Sequence, residues 1–293
     1  MNIIVQIIGG IGKTIAFTAV AKALKKQYPD SKIIVFTEAP SIFKNNPNIY
    51  KSLSNNKYNH LFYKQYIQDK DVKLFLTEPF LENGVITKKH HIIKGWCNLI
   101  NIPYNGEQPE MFLSEAEEEY YRPYYKTEKP LFVIQTNGGV LGPQEVGYNW
   151  VRDLPENLVR EIVDEYKEYY SIVHIKRKDQ IVYQDTFECY DNVRGVAILL
   201  LMSEKRLLMD SFAQHMAAAL NKPSTVCWIG TTPISFGYDL HDNIIANPPE
   251  KEFITDAITF NKNELWEPIT NLPYSSTDNI FEIDKIFQSI NKQ

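Results

Sequence analysis

Short apolar runs with the composition of β-strands alternate with helical patterns from the first residue onward, and that alternation commits the chain to parallel α/β architecture. Residues 2–8 read as a strand and Gly9-Gly10-Ile11-Gly12 as a turn. Phe17, Val20, Ala21 and Leu24 then fall at i, i+3, i+4 and i+7, one face of a helix. Residues 32–37 and 72–77 read as further strands. Residues 45–59, rich in Asn, Lys and Tyr, read as surface loop with short helical pieces, and residues 88–102 as a helix ending before Pro103. A charged stretch, residues 115–123, interrupts the pattern, which restarts at once. Residues 131–136 form a strand, Asn137-Gly138-Gly139 a turn, residues 155–169 a helix with Leu158, Ile162, Val163 and Tyr166 on its apolar face, and residues 171–176 another strand. Two α/β domains are expected, residues 1–122 and 123–293, each opening with strand, glycine turn and helix. No repeat of solenoid length is present.

Composition narrows the function classes. The net charge is −5 and only 6 of 31 basic residues are Arg, which disfavours dedicated nucleic-acid binding. Cys97, Cys189 and Cys227 are widely spaced and form no CxxC pair, so neither a disulfide framework nor a zinc site is suggested. The longest strongly apolar run, residues 196–202, is far short of the roughly 20 residues that cross a bilayer. The first residues read as a strand rather than a signal peptide. The expectation is a soluble, cytoplasmic protein.

The most conspicuous short motif is Ile8-Gly9-Gly10-Ile11-Gly12-Lys13-Thr14. Glycines allow close backbone approach to a ligand, and a following helix offers unpaired N–H groups to an anion. The loop invites a P-loop reading, but GxxxxGK[ST] requires glycine where Ile7 stands. The nearest Walker B candidate, Leu74-Phe75-Leu76-Thr77-Glu78, lacks the terminal Asp that would organise Mg²⁺. A tight strand-to-helix connection and a cleft-lining binding loop both remain open, with a P-loop ATPase as the alternative.

In the second half, Leu207-Leu208-Met209 ends a strand and a helix begins immediately, with Ser211 and Gln214 in the spacing of a capping box. A further strand, residues 224–229, follows. The helix start then lies at the C-terminal ends of parallel strands, where open α/β sheets bind ligands. The N–H groups of residues 211–213 would face a phosphate, with His215 one turn in. A capped helix with a packed histidine explains the same spacing.

The run Asp210-Ser211-x-x-x-His215-x-Ala217-Ala218-Ala219-Leu220-x-Lys222-Pro223, followed by a strand and Gly230-Thr231-Thr232-Pro233, resembles the ADP-heptose:lipopolysaccharide heptosyltransferase family, glycosyltransferase family 9. The likeness is specific over about residues 195–245 and elsewhere holds at the level of element order. It includes the His90-His91 segment, Trp150 and Pro155. The resemblance implies the GT-B architecture, two Rossmann-like domains facing across a cleft, with the last helix packing back on the N-terminal domain. It implies an enzyme that transfers a sugar from a nucleotide-diphosphate sugar to an acceptor hydroxyl, inverting and metal-independent. No cofactor is implied, the nucleotide sugar being co-substrate, and the partner is a glycan or other hydroxyl-bearing acceptor.

Carried onto this chain, the resemblance assigns donor binding to Asp210, Ser211, Phe212, Ala213 and His215, with Phe212 where the family has glycine. Thr136, Asn137 and Gly138 follow the domain's first strand and are further donor candidates. A lysine common in the family is Tyr148 here, and Lys176 or Arg177 could supply its charge. Gly10, Gly12, Thr14 and His91 are candidates for the acceptor side. The family's general-base Asp is replaced by Lys13. A desolvated Lys13 could itself serve, and Glu38, Glu78, His90 and His91 are other candidates, Lys13 and Glu38 being carried forward. A catalytically silent sugar-nucleotide-binding protein is the other alternative. The Tyr120, Tyr121, Tyr124 and Tyr125 cluster fits interdomain packing. Ile283, Ile286, Phe287 and Ile290 give a short amphipathic C-terminal helix.

Overall fold

The structure is a computed structural model that describes residues 1–55, 60–138, 151–249 and 273–293. Its first half holds β1 (Asn2–Gln6), α1 (Ile11–Gln27), β2 (Lys32–Thr37), β3 (Lys51–Ser54), α2 (His60–Tyr66), β4 (Val72–Phe75), α3 (Asn83–Ile86), α4 (Ile92–Leu99) and α5 (Glu115–Tyr121). The strands form one parallel sheet in the order β3-β2-β1-β4. The second half holds β5 (Leu131–Ile134), α6 (Glu156–Tyr166), β6 (Ser171–Ile175), β7 (Phe187–Cys189), α7 (Val193–Met202), β8 (Lys205–Met209), α8 (Phe212–Ala219), β9 (Thr225–Trp228), α9 (Pro233–Phe236), β10 (Asp242–Ile245) and a C-terminal helix, Ile283–Lys292. Its strands also run parallel, in the order β10-β9-β8-β5-β6-β7.

The strand sequences explain the layering. Parallel strands covered on both faces read as nearly continuous apolar runs, and alternate residues then go to opposite layers. In β1, Ile3 and Val5 join the core around α1 and α4, whereas Ile4 meets Ile34, Phe36 and the α2 residues Phe62 and Tyr66. In β5, Val133 faces the α7–α8 side, while Phe132 and Ile134 face α6 and the C-terminal helix. One hydrophobic cluster runs continuously from the first half into the second, which is why α1 is buried from Lys13 to Leu24 almost without interruption. A helix apolar around its whole circumference is an interior helix, and α1 packs against both α4 and α8.

A polar fastening joins the halves beside that core. Ser114 caps α5 in a reciprocal capping box with Glu117. The Glu117 carboxylate also accepts from Arg194 of α7 at 2.9 and 2.7 Å and from Lys44 at 3.0 Å. Arg194 donates further to the carbonyl of Phe112 at 2.6 Å. The Arg194 guanidinium, aided by Ser114 and Lys44 and opposed by burial, holds the Glu117 carboxyl far below the ordinary carboxylate range. All three thiols are buried, and burial raises their pKa values, Cys97 to about 12.

Three expectations need correction. Residues 45–59 are not simply loop, since Lys51–Ser54 pairs with β2 as β3. The segment 88–102 becomes helical only at Ile92, so His90 and His91 precede α4. The C-terminal helix does not return to the first half. Ile286 and Ile290 are fully buried in the cluster on the outer face of the second sheet, against β8, β9 and β10. Lys205 donates to the carbonyl of Ile290 at 2.9 Å, and Gln293 brackets Arg206 and Thr225 at 2.8–2.9 Å. The reason is area: the helix supplies the apolar stripe for the β8–β10 part of that face. No described helix is long and apolar enough to cross a membrane.

Arg194→Ala is expected to lower stability at neutral pH by about 3 kcal/mol, because it leaves the Glu117 carboxylate buried with less compensation. Glu117 has a lowered folded-state pKa, so its stabilisation is complete above its unfolded value of about 4.3 and is lost as the pH falls through the folded value. Thermal melts of wild type and variant at pH 7 and pH 3.5 check this, with the gap between them narrower in acid.

Candidate active site

The two sheets point their C-terminal strand ends toward each other, and a cavity of about 850 Å³ lies between them. That volume suits a ligand of several rings. From the first half its wall is built by residues 10–13 at the start of α1, with Phe80. From the second half it is built by the ends of β5 and β6, by Arg152, and by residues 210–212 with His215 at the start of α8. Two helix N-termini therefore open on one space, each presenting first-turn N–H groups without intrahelical acceptors.

Gly12 permits this convergence. A Cβ at Gly12 would lie 2.7 Å from Cδ2 and 3.2 Å from Nε2 of His215, with Cα of Phe212 at 3.5 Å. His215 cannot simply swing aside. Its Nδ1 lies 2.8 Å from the Tyr238 hydroxyl and its Nε2 lies 3.1 Å from the Gln214 amide nitrogen. That amide also donates to the carbonyl of Phe236 at 2.9 Å. An amide nitrogen only donates, so Nε2 accepts and Nδ1 carries the ring proton toward Tyr238. Burial pushes the Tyr238 phenol up, keeping it protonated.

The glycine loop is built around Lys13. Gly9 has φ +118°, a region that suits glycine, and a Cβ there would approach the Lys13 amine to 3.2 Å. Lys13 turns back to donate to the carbonyl of Ile8 at 2.7 Å and to both oxygens of Glu78 at 2.8 and 2.7 Å, above the ring of Phe80. Burial lowers the Lys13 pKa, and Glu78 works against that shift. The ammonium is thus held by its own half of the molecule, unlike a P-loop lysine reaching for phosphate.

On the opposite wall, Lys176 has a fully buried side chain, paired with Glu188 at 2.8 Å and within 3.4 Å of the Tyr190 hydroxyl. Burial disfavours its charge, but the bonds to Glu188 and Tyr190 outweigh that and raise its pKa. Arg152 lies 3.7 Å from Asp210, and Arg177 pairs with Asp179 at 3.1 Å. The Gly138 N–H donates to Asp153 at 3.0 Å, and a Cβ on Gly138 would meet Arg152 at 2.7 Å.

Of the sequence candidates, Gly10, Gly12, Lys13, Asn137, Gly138, Lys176, Arg177, Asp210, Ser211, Phe212 and His215 meet around this cavity. The others stand apart from its wall. Thr14 is buried and paired with Thr37 at 2.8 Å, because its helix face turns to the sheet. Thr136 is buried against Nε2 of His174 at 2.9 Å, and Ala213 is core. His91 caps α4 through Nδ1 and packs at a tilt of 51° against Tyr238, an interface position whose burial lowers its pKa to about 4. Glu38 is exposed and accepts from Asn55 at 2.8 Å. Ser211 makes no side-chain cap, since Gln214 is drawn inward to Phe236, so the expected capping box is not formed. Tyr148 and Trp150 lie outside the described residues.

Arg152, Gln135, Lys178 and Phe236 were missed as wall residues. Arg152 stands 14 residues after Gly138 in the sequence, with no motif that marks it. Among the described residues no cluster of three or more His, Cys, Asp or Glu could hold a metal ion.

No protein-family profile matches the chain, and no curated protein matches it. Solved structures do. A glycosyl transferase family 9 protein from Veillonella parvula has a TM-score of 0.67 at 14% identity, covering 99% of this chain and 96% of its own. ADP-heptose lps heptosyltransferase II from E. coli has a TM-score of 0.68 at 13% identity, covering 100% and 98%. The iron-containing dodecameric glycosyltransferase TibC from enterotoxigenic E. coli has a TM-score of 0.63 at 14% identity, covering 99% and 74%. The likeness shows the fold, the two-domain GT-B architecture of heptosyltransferase-type structures. Nothing in these comparisons supports the P-loop ATPase alternative.

Gly12→Ala is expected to cost about 1–3 kcal/mol, the range for overpacking a close contact. The thermal midpoint should fall, whereas Gly10→Ala, with open space at the Cβ position, should leave it nearly unchanged.

Proposed function

We propose that the chain is a glycosyltransferase that moves a sugar from a nucleotide-diphosphate sugar to an acceptor hydroxyl by a single inverting displacement. The observation that carries this is the convergence of two helix N-termini, from α1 and α8, on one cavity whose wall also holds Arg152, Lys176 and Arg177. A diphosphate is the ligand such a wall suits, and the resemblance to nucleotide-sugar enzymes supports the same reading. Among the solved neighbours, the heptosyltransferase WaaC was determined with ADP, at a TM-score of 0.56 and 11% identity.

In this reading the donor diphosphate lies against the N–H groups of residues 211–213, beside Arg152 and Lys176, with Asn137 and Gly138 on its flank. The domain division at about residue 122 then separates an acceptor domain from a donor domain. The acceptor lies against residues 10–13. Its hydroxyl oxygen attacks the anomeric carbon as the bond from that carbon to the phosphate oxygen breaks, and the nucleoside diphosphate leaves. The leaving charge is met by backbone N–H groups and by the protein's own cations, aimed before reaction begins.

The hydroxyl proton needs a destination, and the Lys13–Glu78 pair supplies one at the α1 wall. Transfer of a proton from Lys13 to Glu78 leaves a neutral amine facing the cavity, and burial favours that neutral form. The amine then takes the hydroxyl proton as the new glycosidic bond forms. Glu38 is not assigned this role, because it stands outside the cavity wall.

Thermal shift against ADP-, UDP-, GDP- and CDP-linked sugars tests donor binding. One of them at about 100 times its Kd should add roughly 2.7 kcal/mol of stability, reduced in Arg152→Gln. Glu78→Gln should retain this binding and lose at least about 100-fold in turnover, the scale of general-base catalysis. Turnover should survive EDTA. Binding without turnover over a broad acceptor panel would favour the catalytically silent reading, and stabilisation by ATP–Mg²⁺ alone would defeat the transferase.

A further inference from the structure

The two walls of the cavity differ in chemistry. The second-half wall carries Arg152, Lys176, Arg177 and Lys178 beside the start of α8. Among the described residues, the first-half wall carries one ionisable side chain, Lys13, and its ammonium is engaged within its own half by both oxygens of Glu78 and the carbonyl of Ile8. The rest of that wall is glycine backbone and the apolar side chains of Ile11, Ala16, Phe80 and Ile92, joined at the rim by Phe236 of the second half. The Phe80 and Phe236 rings lie 5.7 Å apart at 55°, and Lys13 Nζ stands 4.7 Å from the centre of the Phe80 ring.

A charged ligand fits the first-half wall poorly. A carboxylate or phosphate there would give up its water for a lysine already neutralised by Glu78. The first-turn N–H groups of α1 open on the space that a donor diphosphate shares, and the diphosphate repels a second anion. A polyol gains little there either, since no described side chain of that wall besides Lys13 carries a hydrogen-bonding group. An aromatic ring meets what the wall offers, apolar surface to bury against and phenyl rings to pack on.

We propose that the first-half side of the cavity is a subsite for an uncharged aromatic hydroxyl compound, the acceptor of the transfer. This rests on the transferase reading and narrows its acceptor to one chemical class. The donor's nucleobase does not compete for the subsite, because Ile175, Cys189 and Val193 give the second half apolar lining of its own. Acidity agrees with the geometry. A phenol ionises at about 10 and a lysine ammonium at about 10.4, whereas water, at about 15.7, holds its proton far more tightly. The phenol oxygen bonds to the anomeric carbon, its proton passes to the Lys13 amine, and the nucleoside diphosphate leaves with the electron pair of the bond that breaks.

The test uses two fluorescent probes that differ by one carboxylate, 2-naphthol and 6-hydroxy-2-naphthoate, on the full chain with ADP, UDP, GDP or CDP in excess. Fluorescence titration should show 2-naphthol bound at least about tenfold more tightly. With the matching sugar nucleotide in place of the diphosphate, 2-naphthol should be converted to its glycoside. Ile11→Lys adds an unpaired cation at a half-buried position of the same wall and should narrow the gap between the probes by about threefold, with its melting curve as the folding control. Equal binding of the two probes, binding of neither, or a gap that Ile11→Lys leaves unchanged would overturn the proposal. Sugar transfer to methyl glycosides without 2-naphthol binding would overturn it and leave the transferase standing. Selective 2-naphthol binding with no transfer to any acceptor would support the subsite and defeat the transferase.

Discussion

Where α1 and α8 meet, a single hydrogen atom stands in place of a side chain. The absent Cβ of Gly12 lets the His215 ring sit against the first turn of α1, and the positions of both helix starts follow from that contact. Two helix N-termini carry like partial charges, so bringing them together needs compensation from elsewhere. The apolar surroundings of α1 supply much of it, with Phe80 against Phe236 at 5.7 Å bridging the halves at the rim. The result is a space where two sets of N–H dipoles add, suited to a ligand bearing more than one negative charge.

The cations around that space share a second property. Lys13 is backed by Glu78, Lys176 by Glu188, Arg152 by Asp210 and Arg177 by Asp179. Each is oriented by a carboxylate before any ligand arrives, so little reorganisation is needed on binding. A binding anion shares donors that are already engaged, which moderates affinity and eases release of a doubly charged ligand. Orientation, more than raw charge, is what this wall offers.

Much of the architecture was legible because parallel strands write themselves as short apolar runs bounded by polar or glycine-containing segments. β1, β2, β5, β6 and β8 follow from that signal. β3 did not, since an edge strand of sequence Lys-Ser-Leu-Ser carries too little apolar content to stand out from loop. The C-terminal helix was legible as an amphipathic element, but which sheet it would cover depends on area left bare by other elements, which no local pattern records. At the site, Asp210, Ser211, Phe212 and His215 were found because they adjoin one another in sequence. Thr14 and Thr136 sit inside the same motifs, yet their side chains rotate into the sheets, a consequence of helical and strand phase that motif spacing alone does not reveal. Glu78 was visible only as one candidate of several. Its partnership with Lys13 spans 65 residues of chain, and pairings of that range are set by the sheet order that brings β4 beside β1.

The three buried thiols have a use beyond packing. Cys97 lies in α4 of the first half, Cys227 in β9 of the second, and Cys189 at the end of β7 on the cavity wall. A thiol with a raised pKa and little solvent contact reacts slowly with alkylating reagents until its surroundings open. The chain therefore carries one chemical clock in each half and a third at the place where ligand would sit. Their labelling rates separate breathing of the first half, breathing of the second and opening of the cleft, without any engineered probe.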